Sequence, residues 1–167
     1  MQIELGLQTA NEVTAKRINR CMTNDEFITC VHKLRQHNIE VVVHIINGLP
    51  YETMQDMMNT IHFLNRLDIQ GLKIHSLLIL KNTTLAKEFE QNPFPILSLE
   101  EYAQITAKQI TYLKPSIIIH RLAADGALSE VIEPKWSHKK LVVMNEIDKL
   151  LRKNQDFQGK NYKDGES

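Results

Sequence analysis

Cysteine is almost missing from this sequence: its 167 residues hold two, Cys21 and Cys30. That scarcity excludes a disulfide framework, and the lack of CxxC spacing excludes a Cys-rich metal site; both point to a reducing cytoplasm. Net charge is missing as well. Twenty basic residues against 20 acidic ones leave a formal charge of zero, so composition supplies no bulk pull toward nucleic acid or membrane. No apolar run approaches the ~20 residues of a spanning helix, and no signal-peptide pattern precedes the first expected strand. Repeats and low-complexity segments are absent too. What is there, 43% hydrophobic and 24% charged, is globular in character and of a size suited to one domain with a real core.

Strand-like and helix-like segments alternate. Ile3 to Leu7 reads as a short strand. Phe27, Val31 and Leu34 recur at helical spacing, which predicts a helix over 24–37 with Thr23 or Asn24 as N-cap. Ile39 to Ile46 is a continuous apolar run of the kind a doubly covered parallel strand needs. It stops at Asn47-Gly48-Leu49-Pro50, and Thr53 with Asp56 then opens a helix through Leu64 as an acidic capping box. Leu72 to Leu80 is a third strand candidate, and 82–92 a short helix ended by Pro93 and Pro95. Ser98 with Glu101 caps a helix through Leu113, and Ile117 to His120 is a brief fourth strand. Leu141, Met144, Ile147 and Leu151 mark the last helix, with Ser137 ahead of it, and the polar segment from Gly159 to Ser167 reads as a frayed tail. The order β-α-β-α-β predicts a parallel sheet in an α/β fold.

In such folds ligands bind at the carboxyl ends of strands. Gln8-Thr9, Asn47-Gly48 and Ser76 are the polar residues expected there. Alternation puts Glu4, Gly6 and Gln8 on one face of the first strand, and Val42, His44 and Ile46 on one face of the second. Gly6 leaves room beneath Gln8, either for a ligand or simply to relieve crowding. His44, His75 and His120 each lie on a strand and invite a metal-dependent hydrolase on a barrel, but no Asp or Glu at a strand end completes a ligand set.

The segments ELGLQT (4–9), INR (18–20) and HIINGLP (44–50), in that order, resemble the radical S-adenosylmethionine (SAM) superfamily. With GLPYET, GLKIHSLLILKNT (71–83), IIIHR (117–121) and PKWS (134–137), the set resembles the bacterial family related to the catalytic subunit of Elongator. The resemblance implies the C-terminal half of a partial (β/α)6 TIM-like barrel. Strands four to six would occupy 1–97, a helical extension with one short strand 98–158, and a flexible tail 159–167.

It implies S-adenosyl-L-methionine as cofactor, with Gln8, Arg20, His44, Ile46, Ser76 and Leu78 in contact with it, Arg20 on the methionyl carboxylate. It also implies substrate contacts at His120, Arg121 and Asp125. A [4Fe-4S] cluster belongs to the intact enzyme, but its CxxxCxxC ligands are absent from this chain. The chain also departs from the family pattern at Cys21-Met22, Leu78 and Ala123-Ala124, which bears on substrate handling more than on cofactor contact. The implied activity is wobble-uridine modification in tRNA, with tRNA, a second copy of the chain, or a partner supplying further strands as partners. The expectation for this chain alone is inactivity, and the alternative is a non-catalytic half-barrel that works by association.

Overall fold

The apolar runs do pair as strands. The computed structural model describes residues 1–124 and 129–164. Among them are six strands: β1 (Gln2–Gln8), β2 (Glu40–Asn47), β3 (Gly71–Ser76), β4 (Ile79–Leu80), β5 (Ile118–Arg121) and β6 (Val131–Glu133). The helices are α1 (Glu12–Arg17), α2 (Asn24–Gln36), α3 (Met54–Asn65), α4 (Thr84–Gln91), α5 (Leu99–Tyr112) and α6 (Lys140–Lys153). None of the described helices is long and apolar enough to cross a membrane. The main sheet is parallel throughout, in the order β1-β2-β3-β5, and a small antiparallel sheet pairs β4 with β6. The α/β class expected from the sequence is the class observed.

Helix starts follow the predicted chemistry. Thr23 with Glu26, Thr53 with Asp56 and Ser98 with Glu101 form reciprocal capping boxes, each satisfying amide donors that the first helical turn leaves open. The outer face of the sheet carries Leu7, Val41, Val43, Ile45, Leu72 and Ile74. Helices α2 and α3 close over it with Phe27, Val31, Ile61 and Leu64. A second cluster joins α5 to α6 through Tyr102, Ala103, Ile110, Val143 and Ile147.

Several expectations need correction. The third strand does not run to Leu80. It ends at Ser76, where the Leu77 N–H donates to Asn47 O at 2.9 Å, and residues 79–80 leave for the second sheet. The fourth strand is not an appendage of a helical extension. It pairs in parallel with β3, and the 98–158 segment contains a further strand, β6. The short helix α1, capped by Asn11, carries too few apolar residues to be seen as a pattern. In α6 the inward positions are Val143 and Ile147, while Leu141 and Met144 are 75% and 49% exposed, so the predicted apolar phase was shifted. Ser137 does not cap α6 but donates to Pro134 O in a preceding 3-10 turn. The described part of the tail is docked rather than frayed: Gly159 and Asn161 donate backbone N–H bonds to Ile110 O and Thr111 O at the end of α5.

The end of β2 is tied to α5 by two buried amides. Asn47 Nδ2 donates to Gln109 Oε1 at 2.8 Å, and Gln109 Nε2 donates back to Asn47 Oδ1 at 2.9 Å and to Met57 O at 3.0 Å. Neither amide reaches solvent appreciably. Gln109→Leu takes the Gln109 donor from Asn47 Oδ1 and leaves Asn47 Nδ2 only Thr106 Oγ1, 3.3 Å away, and a buried unpaired polar group costs about 1–3 kcal/mol. The expected result in chemical denaturation is a loss of about 2–3 kcal/mol for Gln109→Leu. The double variant Asn47→Leu/Gln109→Leu should lose less than the sum of the two single changes.

Candidate nucleoside site at the strand ends

The inner face of the sheet is polar where the outer face is apolar. Register sets Glu4 and Gly6 beside Val42 and His44, and Val42, His44 and Ile46 beside Gly71, Lys73 and His75, while Gln8 falls beside Ile45. Glu4 joins the three strands. One carboxylate oxygen accepts from Lys73 Nζ, and the other lies 2.8 Å from His44 Nε2. These contacts, Lys73 first, hold the Glu4 carboxyl below its ordinary value. The His44 ring stacks on His75, with centroids 5.3 Å apart and planes inclined by 15°.

Above this layer, at the carboxyl ends of the strands, is a cavity of about 270 Å³ lined by Gln8, His44, Ile46, His75, Ser76, Leu77, Leu78, Arg121 and Ala124. That is near the small end of ligand pockets, about 300–1,000 Å³, and suits a group of nucleoside size. A larger surface groove of about 490 Å³ is lined by α2 alone and gathers no residues from the strand ends.

Local backbone builds the cavity walls. Strand β1 stops because Gln8 takes a left-handed φ of +64°, and the β1–β2 register slips between Gly6 and Gln8. A non-glycine residue in that region is uncommon and concentrates at functional turns. The turn lays the Gln8 amide over Gly6: a Cβ on residue 6 would stand 2.5 Å from Gln8 Nε2. The space that Gly6 leaves is therefore taken by Gln8 itself. Strand β2 ends at Gly48, whose φ of +85° favours glycine, and Leu97 packs where a side chain would be.

Five of the six residues expected at a cofactor, Gln8, His44, Ile46, Ser76 and Leu78, meet in this one cavity, and Arg121 joins them. Arg20 does not line it. Its guanidinium donates to Leu7 O, Thr9 O, Met22 O and Asn24 Oδ1 behind the end of β1. His120 rests over Gly71 at the start of β3, where its Nε2 would lie 2.5 Å from a Cβ, and is likewise outside the cavity. Asp125 lies outside the described residues. The histidine set of the metal reading is thus split between the cavity and the start of β3. Among the described residues no three His, Cys, Asp or Glu side chains gather as metal ligands.

Two residues matter more than the sequence suggested. His75 Nε2 and Ser76 Oγ are buried without a hydrogen-bond partner, and both residues line the cavity. Burial, then the charges at His44, Arg121 and Lys73, lower the His75 pKa to about 4, so its ring is neutral near pH 7. Glu52, in the helix-opening YET, has its carboxyl turned in against the Thr9 hydroxyl, 2.5 Å away. Burial raises its pKa to about 7, with Asp56 adding to the effect and the Thr9 bond opposing it. A carboxylate one residue ahead of a helix cap reads in sequence as solvated, and only the fold reveals its burial.

Comparison with known proteins places this geometry. Residues 2–64 match the Radical SAM superfamily, and residues 69–153 match the Radical_SAM C-terminal domain. The chain is 42% identical over 158 residues to YtqA of Bacillus subtilis, covering 95% of this chain and 49% of that one. With YhcC of Escherichia coli K12 it shares 31% identity over 149 residues, covering 89% and 48%. The chain thus spans about half the length of the curated relatives it matches. In structure it superposes on the archaeal Elp3 of Methanocaldococcus infernus with a TM-score of 0.83 at 17% identity, covering 95% of this chain and 37% of that one. That likeness is one of fold: the sheet and helices correspond to part of the Elp3 barrel with its C-terminal helical extension.

The two shifted groups make opposite contributions to stability. The Glu52 pKa is raised on folding, so its contribution is present at low pH and is lost as pH climbs from about 4.5 to about 7. The His75 pKa is depressed, so its contribution is present above about 6.5 and is lost as pH falls toward about 4. Between about 4.5 and 6.5 the two slopes oppose each other. In urea titrations across that range, stability minus that of wild type should rise with pH for Glu52→Gln and fall with pH for His75→Phe. Two parallel curves would refute the burial assigned to these groups.

Proposed function

The chain belongs to the radical SAM superfamily, and on that premise we propose that its strand-end cavity holds the nucleoside of S-adenosyl-L-methionine. One observation carries this reading: three parallel strands bring Gln8, His44, Ile46, Ser76 and Leu78 to one cavity that also contains two buried, unpartnered polar atoms. Buried polar atoms without partners call for a ligand or water. The cofactor fits that donor set. The Gln8 amide suits a ribose diol, Ser76 Oγ and His75 Nε2 can bond an adenine or ribose edge, and Ile46 and Leu78 offer apolar faces to the base.

The iron–sulfur cluster of the superfamily does not fit these residues. Cys21 is exposed with its Sγ directed to Asn19 O, Cys30 sits on α2, and neither lines the cavity. No chemical step is assigned to this chain. Its part is to bind and orient the nucleoside within an enzyme whose cluster is held by other residues. The ordered segments GLPYET, GLKIHSLLILKNT, IIIHR and PKWS favour an enzyme that modifies the wobble uridine of tRNA, and the fold shared with Elp3 agrees. The balanced net charge means that any RNA contact is local, through Lys135, Lys139, Lys140, Arg152 and Lys153, rather than through a global field.

The test is saturation-transfer NMR of the 167-residue chain with 5′-deoxy-5′-methylthioadenosine, which carries the nucleoside without the methionyl group. Weak but saturable binding is expected, weakened about tenfold by Gln8→Ala through loss of one paired amide. Binding that ignores Gln8→Ala and His44→Ala alike would sink the proposal.

A second reading has its own observation. Strands β1 and β5 stand at the edges of the main sheet, and unpaired edges invite another chain. By this reading the chain works by association, with a second copy or with a partner that supplies further strands. Light scattering should then give more than a monomer mass as concentration rises. A monomer at every concentration, in protein that remains folded, argues against self-association.

A further inference from the structure

Glu4 reaches two neighbouring strands at once. In register it stands beside Val42, which in turn stands beside Gly71. Its carboxylate extends further, toward the carboxyl ends of the strands. There Oε2 lies 2.8 Å from His44 Nε2, and Oε1 accepts from Lys73 Nζ at 2.5 Å. Of these three side chains His44 lines the strand-end cavity, while Glu4 and Lys73 lie outside its lining. Glu4 can therefore touch the cavity through His44 and not directly.

The geometry decides where one proton sits. The Lys73 hydrogen bond is first among the contacts that hold the Glu4 carboxyl below its ordinary value, so near pH 7 the group is ionised. An ionised carboxylate accepts hydrogen bonds and cannot donate them. His44 Nε2 must then carry the hydrogen of this contact, and a neutral imidazole protonated at Nε2 has a bare lone pair on Nδ1. His44 Nδ1 makes no hydrogen bond to a described residue and is not sealed in the interior, so it is open to a partner. The ring is also held in plane by its stack on His75, with centroids 5.3 Å apart and planes inclined by 15°.

We infer that Glu4 is a positioning residue that acts through His44: its carboxylate fixes the Nε2–H tautomer and makes Nδ1 a hydrogen-bond acceptor toward the cavity. The ligand group that meets His44 must then be a donor, a hydroxyl or an N–H. The inference rests on the reading of the cavity as a nucleoside site and adds a rule of direction to it. A tie that merely pins β1 to β2 and β3 would use the same atoms. Such a tie is indifferent to which nitrogen of His44 holds the hydrogen.

The experiment is nitrogen NMR of the histidine rings in the 167-residue chain, with 5′-deoxy-5′-methylthioadenosine as the ligand probe. At about pH 8, above the ordinary histidine range, wild type should show His44 as the Nε2–H tautomer. Glu4→Gln has the same shape, and Lys73 can bond only its amide oxygen, so the amide N–H₂ turns to His44 Nε2. The ring should convert to the Nδ1–H tautomer, and the nucleoside should bind on the order of tenfold more weakly, since a donor now stands where an acceptor was. Lys73→Met breaks the other half of the tie but leaves the carboxylate on His44, so tautomer and affinity should both stay as in wild type. An Nδ1–H or doubly protonated His44 in wild type overturns the inference, and that result is available even where a variant fails to fold. A tautomer that ignores Glu4→Gln overturns it too, as does an affinity that is unmoved by the conversion or that falls equally in both variants. Should the tautomer convert in Glu4→Gln while the nucleoside binds neither protein, the nucleoside reading falls and the control of His44 by Glu4 stands.

Discussion

Two side-chain amides, on Asn47 at the end of β2 and Gln109 in α5, exchange hydrogen bonds in an interior where water does not compete. Their reach is wide because Asn47 also acts through its backbone. Its carbonyl takes the Leu77 N–H and so decides where the chain leaves β3. Gln109 adds a bond to Met57 O, which draws α3 to the same point. A buried polar network is unforgiving of misplacement, so it fixes a register that apolar contacts alone would leave soft. The amides also join the two matched segments, since Asn47 lies within 2–64 and Gln109 within 69–153. Ile46, Ser76 and Leu77, which line the cavity, are chain neighbours of the residues so fixed.

The sheet divides two kinds of chemistry by the simplest device available, the alternation of side chains along a strand. Leu7, Val41, Val43, Ile45 and Ile74 bury outward against helices and stabilise the fold. Glu4, His44, Lys73 and His75 turn inward, where Lys73 and His44 share the Glu4 carboxylate and the His44 ring stacks on His75. Val42 and Ile46 are the apolar residues that β2 turns to the inner face; Ile46 lines the cavity, and Val42 lies against Gly71 below it. The face that holds the molecule together and the face that lines the cavity are thus the same seven or eight residues of backbone, read on alternate sides.

Much of this was legible in the sequence because the signals were local. The run Val41 to Ile46, its stop at Asn47-Gly48, and the caps at Thr53 and Ser98 each rest on a few adjacent residues, and each appears in the fold. The residues expected at a cofactor came from family resemblance joined to alternation, and five of the six line one cavity. The failures have a common physical origin: they depend on long-range contacts. Leu77 to Leu80 continues the run with four apolar residues, so nothing local marks the change of sheet after Ser76. Leu141 and Met144 lie in a run of four apolar residues, 141–144, where only packing against α5 selects Val143 for the core. Arg20 has the right type and spacing for a carboxylate, but its carbonyl partners are a property of the folded turn. Glu52, Gln109 and the orphaned Nε2 of His75 are ordinary polar residues until burial singles them out.

The chain beyond α6 folds back across the protein: Gln158 Nε2 reaches the carbonyls of Lys114 and Ile117, while Gly159 packs against Pro115. Those contacts bracket the turn that feeds β5, a short edge strand with only β3 beside it. The strap therefore works as a splint on the strand that ends in Arg121. Drift in a surface segment far from any ligand is thereby coupled to the aim of a side chain in the cavity. Relatives that differ near residue 158 would then be expected to differ in what they accept before they differ in how they fold.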